Sequence, residues 1–118
     1  MSFAKPTRIV TYTASAQVED EDKVLYTCPS NCRGMMTLLF FSNANGNTTV
    51  DVNLYRQNGT EHIHIVGGKN MVGGEFVQFS NGIVVLEPGD YMTITASGNT
   101  TPHIDAMCTV EEVFIPVG

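Results

Sequence analysis

Two histidines at alternate positions, His62-Ile63-His64, are the residues of this chain best spaced to do chemistry. Side chains on a strand repeat every second residue, so both imidazoles fall on one face. With a third imidazole from elsewhere, here His103, such a pair can ligate zinc or iron. The same alternation offers a plainer place for them, a solvent face with Ile63 and Ile65 turned inward. His62, His64 and His103 are therefore weak metal candidates, and no cofactor is expected.

The other reactive residue types form no constellation. Cys28-Pro29-Ser30-Asn31-Cys32 is a C-x3-C pair with Cys108 far away. No second pair completes four zinc ligands, and an odd cysteine count in a chain expected to be made in the cytosol is not a disulfide framework. Glu111 and Glu112 are adjacent, so on a strand they point to opposite faces and cannot act as a carboxylate pair. Gly67-Gly68 and Gly73-Gly74 lack the spacing and the following helix of a phosphate loop. No serine sits in a nucleophile elbow. The expectation is a structural or binding protein, not an enzyme.

Charge narrows the partners. The net charge is −6, with six Lys and Arg in total, which argues against nucleic acid. Glu19-Asp20-Glu21-Asp22 concentrates four acids in one loop, read as a solvated loop or else as a contact for a cation or a basic partner. Only 15% of residues are charged, against about a quarter in ordinary soluble domains. A neutral surface rich in Thr, Asn, Gly and Ser suits packing against other subunits. No run approaches the roughly 18 apolar residues of a membrane helix. The opening residues 1–6 carry no apolar leader core, so synthesis in the cytosol is expected.

The elements that must position these residues are strands. Alternation dominates the chain and helical periodicity is absent. Strands are expected over 7–14, 23–28, 35–42, 49–56, 60–66, 75–79, 83–86 and 91–96, with a long last strand region, 103–117, bending near Met107 and Cys108. Asn58-Gly59 and Asn81-Gly82 read as tight hairpin turns, and Pro88-Gly89-Asp90 as a further turn. Gly67-Gly68 and Gly73-Gly74 bracket a flexible connection around Met71. Leu38-Leu39-Phe40-Phe41 is apolar on both faces, as in a central strand covered on one side by the core and on the other by a neighbouring subunit. The fold class is all-β: an antiparallel two-sheet sandwich, jelly-roll-like, of about eight or nine strands, with a closed small barrel as the alternative. One domain spans residues 1–118, with residues 1–14 an N-terminal arm or edge strand.

Two resemblances add to this reading. The His-x-His pair, the Gly89-Asp90 turn and the later His103 resemble the cupins, which implies a metal-binding enzyme. The Glu ligand that follows the pair in cupins after a gap of three or four residues is missing, since Gly68 and Lys69 stand there. The ordered set Tyr26-Thr27-Cys28-Pro29, Leu38 to Asn43, Val50-Asp51-Val52-Asn53-Leu54-Tyr55, Val85-Leu86-Glu87-Pro88-Gly89-Asp90 and the closing Val110 to Pro116 resembles the small β-sandwich virion structural proteins of tailed bacteriophages. That resemblance implies a bacteriophage virion protein made in the host cytoplasm and resident in the virion. Its role would be capsid decoration, as a cement protein, or neck, tail or fibre attachment. It implies a homotrimer whose partners are the major capsid protein or other virion proteins, with no nucleic acid and no membrane. Candidate interface residues are Lys5, Arg8, Tyr12, Leu38, Phe40 and Phe41.

Overall fold

The chain is rolled from a single long hairpin. In the computed structural model, which describes residues 7–57 and 62–115, eight strands follow in order: β1 (Thr7–Ala16), β2 (Asp22–Thr27), β3 (Cys32–Asn43), β4 (Thr48–Tyr55), β5 (His62–Met71), β6 (Phe76–Leu86), β7 (Tyr91–Ser97) and β8 (Ile104–Phe114). Pairing is antiparallel throughout, β1 with β8, β2 with β7, β3 with β6 and β4 with β5, completed by β3 with β8 and β4 with β7. The result is two four-stranded sheets, β1-β8-β3-β6 and β2-β7-β4-β5. This order is the jelly roll, in which nested strand pairs split alternately between two layers.

Alternation drives the packing. Met36, Leu39 and Phe41 of β3, Val50, Val52 and Leu54 of β4, Met92, Ile94 and Ala96 of β7 and Ile104, Ala106, Cys108 and Val110 of β8 fill the space between the sheets. Each large side chain removed from water there contributes about 1.5–3 kcal/mol.

The breaks in alternation are bulges. Thr37 is an extra residue in β3 against β8, which lets Leu38 face outward while Met36 and Leu39 both face inward. Leu25 is an extra residue in β2, and both Leu25 and Tyr26 are buried as a result.

Three sequence expectations change here. Asn81-Gly82 does not close a hairpin. Both residues have positive φ, 72° and 65°, but they form a bulge inside the single strand β6, opposite Thr37 of β3. Gly67-Gly68 is likewise a bulge within β5: the strand continues to the buried Met71, and the Gly68 N–H donates to Asp51 Oδ1 at 2.7 Å. Residues 107 and 108 of β8 pair without interruption with both β1 and β3. The irregularity lies across from Thr109 and Val110, in β3. The expected Asn58-Gly59 turn lies outside the described residues.

Pro88-Gly89-Asp90 does form a turn, and Asp90 holds it. The Asp90 carboxylate, 2% exposed as a residue, accepts from the N–H groups of Glu87 (2.8 Å) and Gln57 (2.9 Å) and from Arg56 Nη1 (2.5 Å). It thereby ties the β6–β7 turn to the end of β4. Burial alone pushes its carboxyl up, but the bonds from Gln57, Arg56 and Glu87 outweigh burial and leave it below the usual carboxylate value. Gly89 stands at φ 84°, and a Cβ there would meet the Gln57 side chain at 2.3 Å.

Because the folded value lies below the unfolded one, Asp90 stabilises the fold above about pH 4 and that contribution fades as pH falls through the folded value. Asp90→Asn is expected to cost roughly 2 kcal/mol at neutral pH, read from urea unfolding midpoints, and to flatten the loss of stability in acid. Equal midpoints for the two proteins at pH 7 would remove this role.

Candidate functional site

The histidines split between opposite ends of the sandwich. His62 and His64 stand across from Tyr55 and Asn53 on the outer face of the second sheet, and both are exposed. The His62 ring stacks on Tyr55 at 5.3 Å and meets His64 edge-on at 4.9 Å. His103 lies in the β7–β8 connection, where its Nε2 is 3.1 Å from Asp105 Oδ1. Successive connections of the rolled hairpin alternate ends, so the His62 end of β5 and the His103 loop are separated by the length of the sheet. The three candidates are not brought together. Among the described residues, no group of three or more His, Cys, Asp or Glu side chains is placed to hold a metal ion.

The most buried polar cluster is one the sequence did not mark. Glu112 is fully buried and faces the interior, whereas its neighbour Glu111 is exposed. The Tyr26 hydroxyl donates to Glu112 Oε2 and Arg8 Nε to Oε1, each at 2.5 Å. The Arg8 guanidinium also lies 5.0 Å from the centre of the Phe114 ring, and Tyr12 leans on Tyr26 at 5.3 Å. Burial first, and then the Glu112 carboxylate, hold the Tyr26 hydroxyl protonated far above its ordinary range. The group joins β1, β2 and β8, closing the open edge of the sandwich. Arg8 and Tyr12 thus cap the core rim and do not stand on the outer face.

The cysteines are packing residues. Cys28, Cys32 and Cys108 are free and buried. Burial pushes the Cys28 and Cys108 thiols up to about 11 and raises Cys32 as well, so none supplies a thiolate at neutral pH. In the acidic loop the Asp20 N–H donates to Ala96 O at 2.8 Å, and Asp22 accepts from the Thr95 hydroxyl at 2.5 Å.

The outer face of the first sheet is the candidate contact surface. Register places Met35, Leu38, Phe40, Phe76, Val85 and Met107 on it. Phe76 is 63% exposed, and its ring stacks on Phe40 at 5.8 Å. On β1 the same face carries Ile9, 73% exposed. A shallow groove of about 350 Å³ runs beside this patch between Thr13, Ser15, Phe40, Asp105 and Met107. Phe41 does not belong to this surface: as the neighbour of Phe40 it points the opposite way and is wholly buried. Lys5 lies outside the described residues. Sequence reading found Leu38 and Phe40 but missed Phe76, Val85 and Met35. Their assignment needs the β3–β6 register, and the bulge at Asn81-Gly82 hides that register.

The sheet edges differ from one another. The edge strands β2, β5 and β6 each carry a bulge. β1 pairs with β8 over ten consecutive residues without a register shift, and no strand among the described residues covers its other side. A regular uncovered edge is a template for a further strand, whereas bulges blunt one.

No protein-family model and no curated protein matches the chain. Solved structures do. A chain from Bacillus endospore appendages, described as a novel family of disulfide-linked pili, matches with a TM-score of 0.57 and 13% identity, over 97% of this chain and 93% of that one. A chain of the T13 infectious bursal disease virus particle matches with a TM-score of 0.50 and 12% identity, over 95% of this chain and 36% of that one. The Gx strain of that virus gives 0.51 and 12%, over 92% and 33%. This chain spans about a third of the virus-particle chains. At such identities the likeness is one of fold.

Removing Glu112 tests the rim. Glu112→Ala leaves the Tyr26 hydroxyl buried without a partner and opens a void, at an expected cost of roughly 3 kcal/mol. Glu112→Gln is expected to cost less and to speed amide exchange at the Arg8 end of β1 before the rest of the strand. Uniform exchange along β1 in both variants would show that the cluster does not pin this strand.

Proposed function

We propose that this protein is a structural subunit of a virion, acting as a bacteriophage capsid decoration protein that packs over joints between capsid subunits, and that it performs no catalysis. The observation that carries the reading is the apolar outer face of the first sheet, centred on the stacked Phe40 and Phe76. Exposed apolar patches on an otherwise polar protein mark interfaces, and this chain has few surface charges to oppose contact. The regular β1 edge borders the same sheet and adds a second means of joining a neighbour. The jelly roll is a fold of viral capsid proteins, and the matched chains come from a virus particle and from pili, both built from many subunits.

The mechanism is burial of apolar area. A homotrimer bound to the major capsid protein links neighbouring subunits and raises the barrier to their separation. The net charge of −6, with six Lys and Arg in all, argues against nucleic acid as a partner.

Sedimentation and light scattering are expected to show a trimer that co-sediments with capsids stripped of their decoration. Phe40→Lys is expected to abolish capsid binding with little change in melting temperature, because Phe40 lies outside the core. A wild-type protein that stays monomeric at high concentration and ignores stripped capsids would sink the proposal.

A further inference from the structure

We infer that the free edge of β1 is a self-association surface, on which a second copy of this chain adds its own β1 in antiparallel register about Thr11. The inference goes beyond the proposed capsid contact, which uses a sheet face, and does not rest on it. An edge strand presents a row of main-chain N–H and C=O groups to any strand able to pair with it. The sandwich has four edges, β1 and β6 in one sheet and β2 and β5 in the other. Three of them are blunted. β2 is bulged at Leu25 and carries Asp22 and Lys23, β5 is bulged at Gly67-Gly68 and carries Lys69, and β6 is bulged at Asn81-Gly82. β1 has no register shift and no proline, glycine or lysine. Six of its ten residues are β-branched or aromatic, the types that favour an extended strand. Its single charge, Arg8, is drawn to Glu112 and does not guard the edge.

Charge selects the occupant and its direction. The acidic run Glu19-Asp20-Glu21-Asp22 follows the Ala16 end of β1, and Arg8 stands at the other end. Antiparallel pairing of two copies lays the Arg8 end of each beside the acidic end of the other, so opposite charges meet twice. Parallel pairing would set Arg8 beside Arg8 and acid beside acid. A strand from another protein matches this edge only if it carries acidic and basic ends in the reverse order. A second copy turned end for end does so by construction.

The side chains fit the same arrangement. Pairing about Thr11 joins Thr7 to Ser15 of each copy, a seam of about 30 Å. It sets Thr11 opposite Thr11, Ile9 opposite Thr13 and Val10 opposite Tyr12 of the second copy, all pairs of β-branched or aromatic residues. Arg8 falls opposite Ala14, with no like charge facing it. The two-fold axis stands normal to the sheet, so two four-stranded sheets become one of eight strands. Both Phe40–Phe76 patches then look the same way. Such a contact is isologous and joins subunits, or the trimers of the proposed function, two by two.

The test is disulfide trapping in the whole chain, with no capsid present. The native thiols are buried, so an introduced surface cysteine is the one that reacts. Thr11→Cys under mild oxidation is expected to give a covalent dimer. Thr13→Cys is not, because its mate stands four residues away along the seam, beyond disulfide reach. Sedimentation of the unmodified chain at rising concentration is expected to show a doubling of mass, and Glu19→Lys with Glu21→Lys to weaken that doubling about tenfold. Phe40→Lys is expected to leave trapping unchanged, so a failure of the capsid reading and a failure of this one are told apart. The absence of a covalent dimer in Thr11→Cys overturns the inference. Equal trapping of Thr13→Cys also overturns it, since random collision would then explain both. So does a doubling indifferent to the acidic-loop variant.

Discussion

The pairing of the first strand with the last is the constraint on which the structure depends. β1 and β8 meet in register from Thr7 opposite Val113 to Ala16 opposite Ile104, so the sandwich closes only when the two ends of the chain come together. The inner pairs nest within that one, and splitting them alternately between two layers fixes which face of every strand is dry. Glu112 sits at this closure. A carboxylate buried there is tolerated because Tyr26 and Arg8, from the two strands that flank the opening, both donate to it. The cluster thus specifies how β1 seats and does more than fill space.

The two outer faces that this closure leaves have different chemistry. On the β1-β8-β3-β6 layer the outward residues are large and apolar around Phe40 and Phe76. On the β2-β7-β4-β5 layer they are Thr, Asn, Asp and stacked Tyr and His rings. One face exposes large apolar side chains, and the other exposes hydroxyls, carboxylates and the edges of stacked rings. A jelly roll separates the two chemistries because each sheet presents only one outer face, and the core between them isolates the one from the other.

Local pattern was legible in the sequence, and partner choice was not. Alternation in residues such as Val50, Val52 and Leu54 marked strands and their inward faces, and the Pro88-Gly89-Asp90 turn stands where its residue types place it. Asn81-Gly82 and Gly67-Gly68 misled because a residue with positive φ serves a hairpin turn and a bulge equally well. Which of the two forms depends on a distant strand, here β3 or β4. The same gap hid Glu112, whose burial depends on Arg8 and Tyr26, and it let His103 stand as a companion to His62 and His64. Phe40 and Phe41 were read together as contact residues. The one-residue step between them separates surface from core, and only the register places Thr37 as the extra residue that sets the phase.

The buried thiols have a consequence for the redox surroundings of the fold. With Cys28, Cys32 and Cys108 enclosed and kept protonated, the chain neither draws on an oxidant to fold nor offers sulfur to one. Crowding many copies together would therefore open no route to random covalent cross-links. The fold is as indifferent to an oxidising medium as to a reducing one.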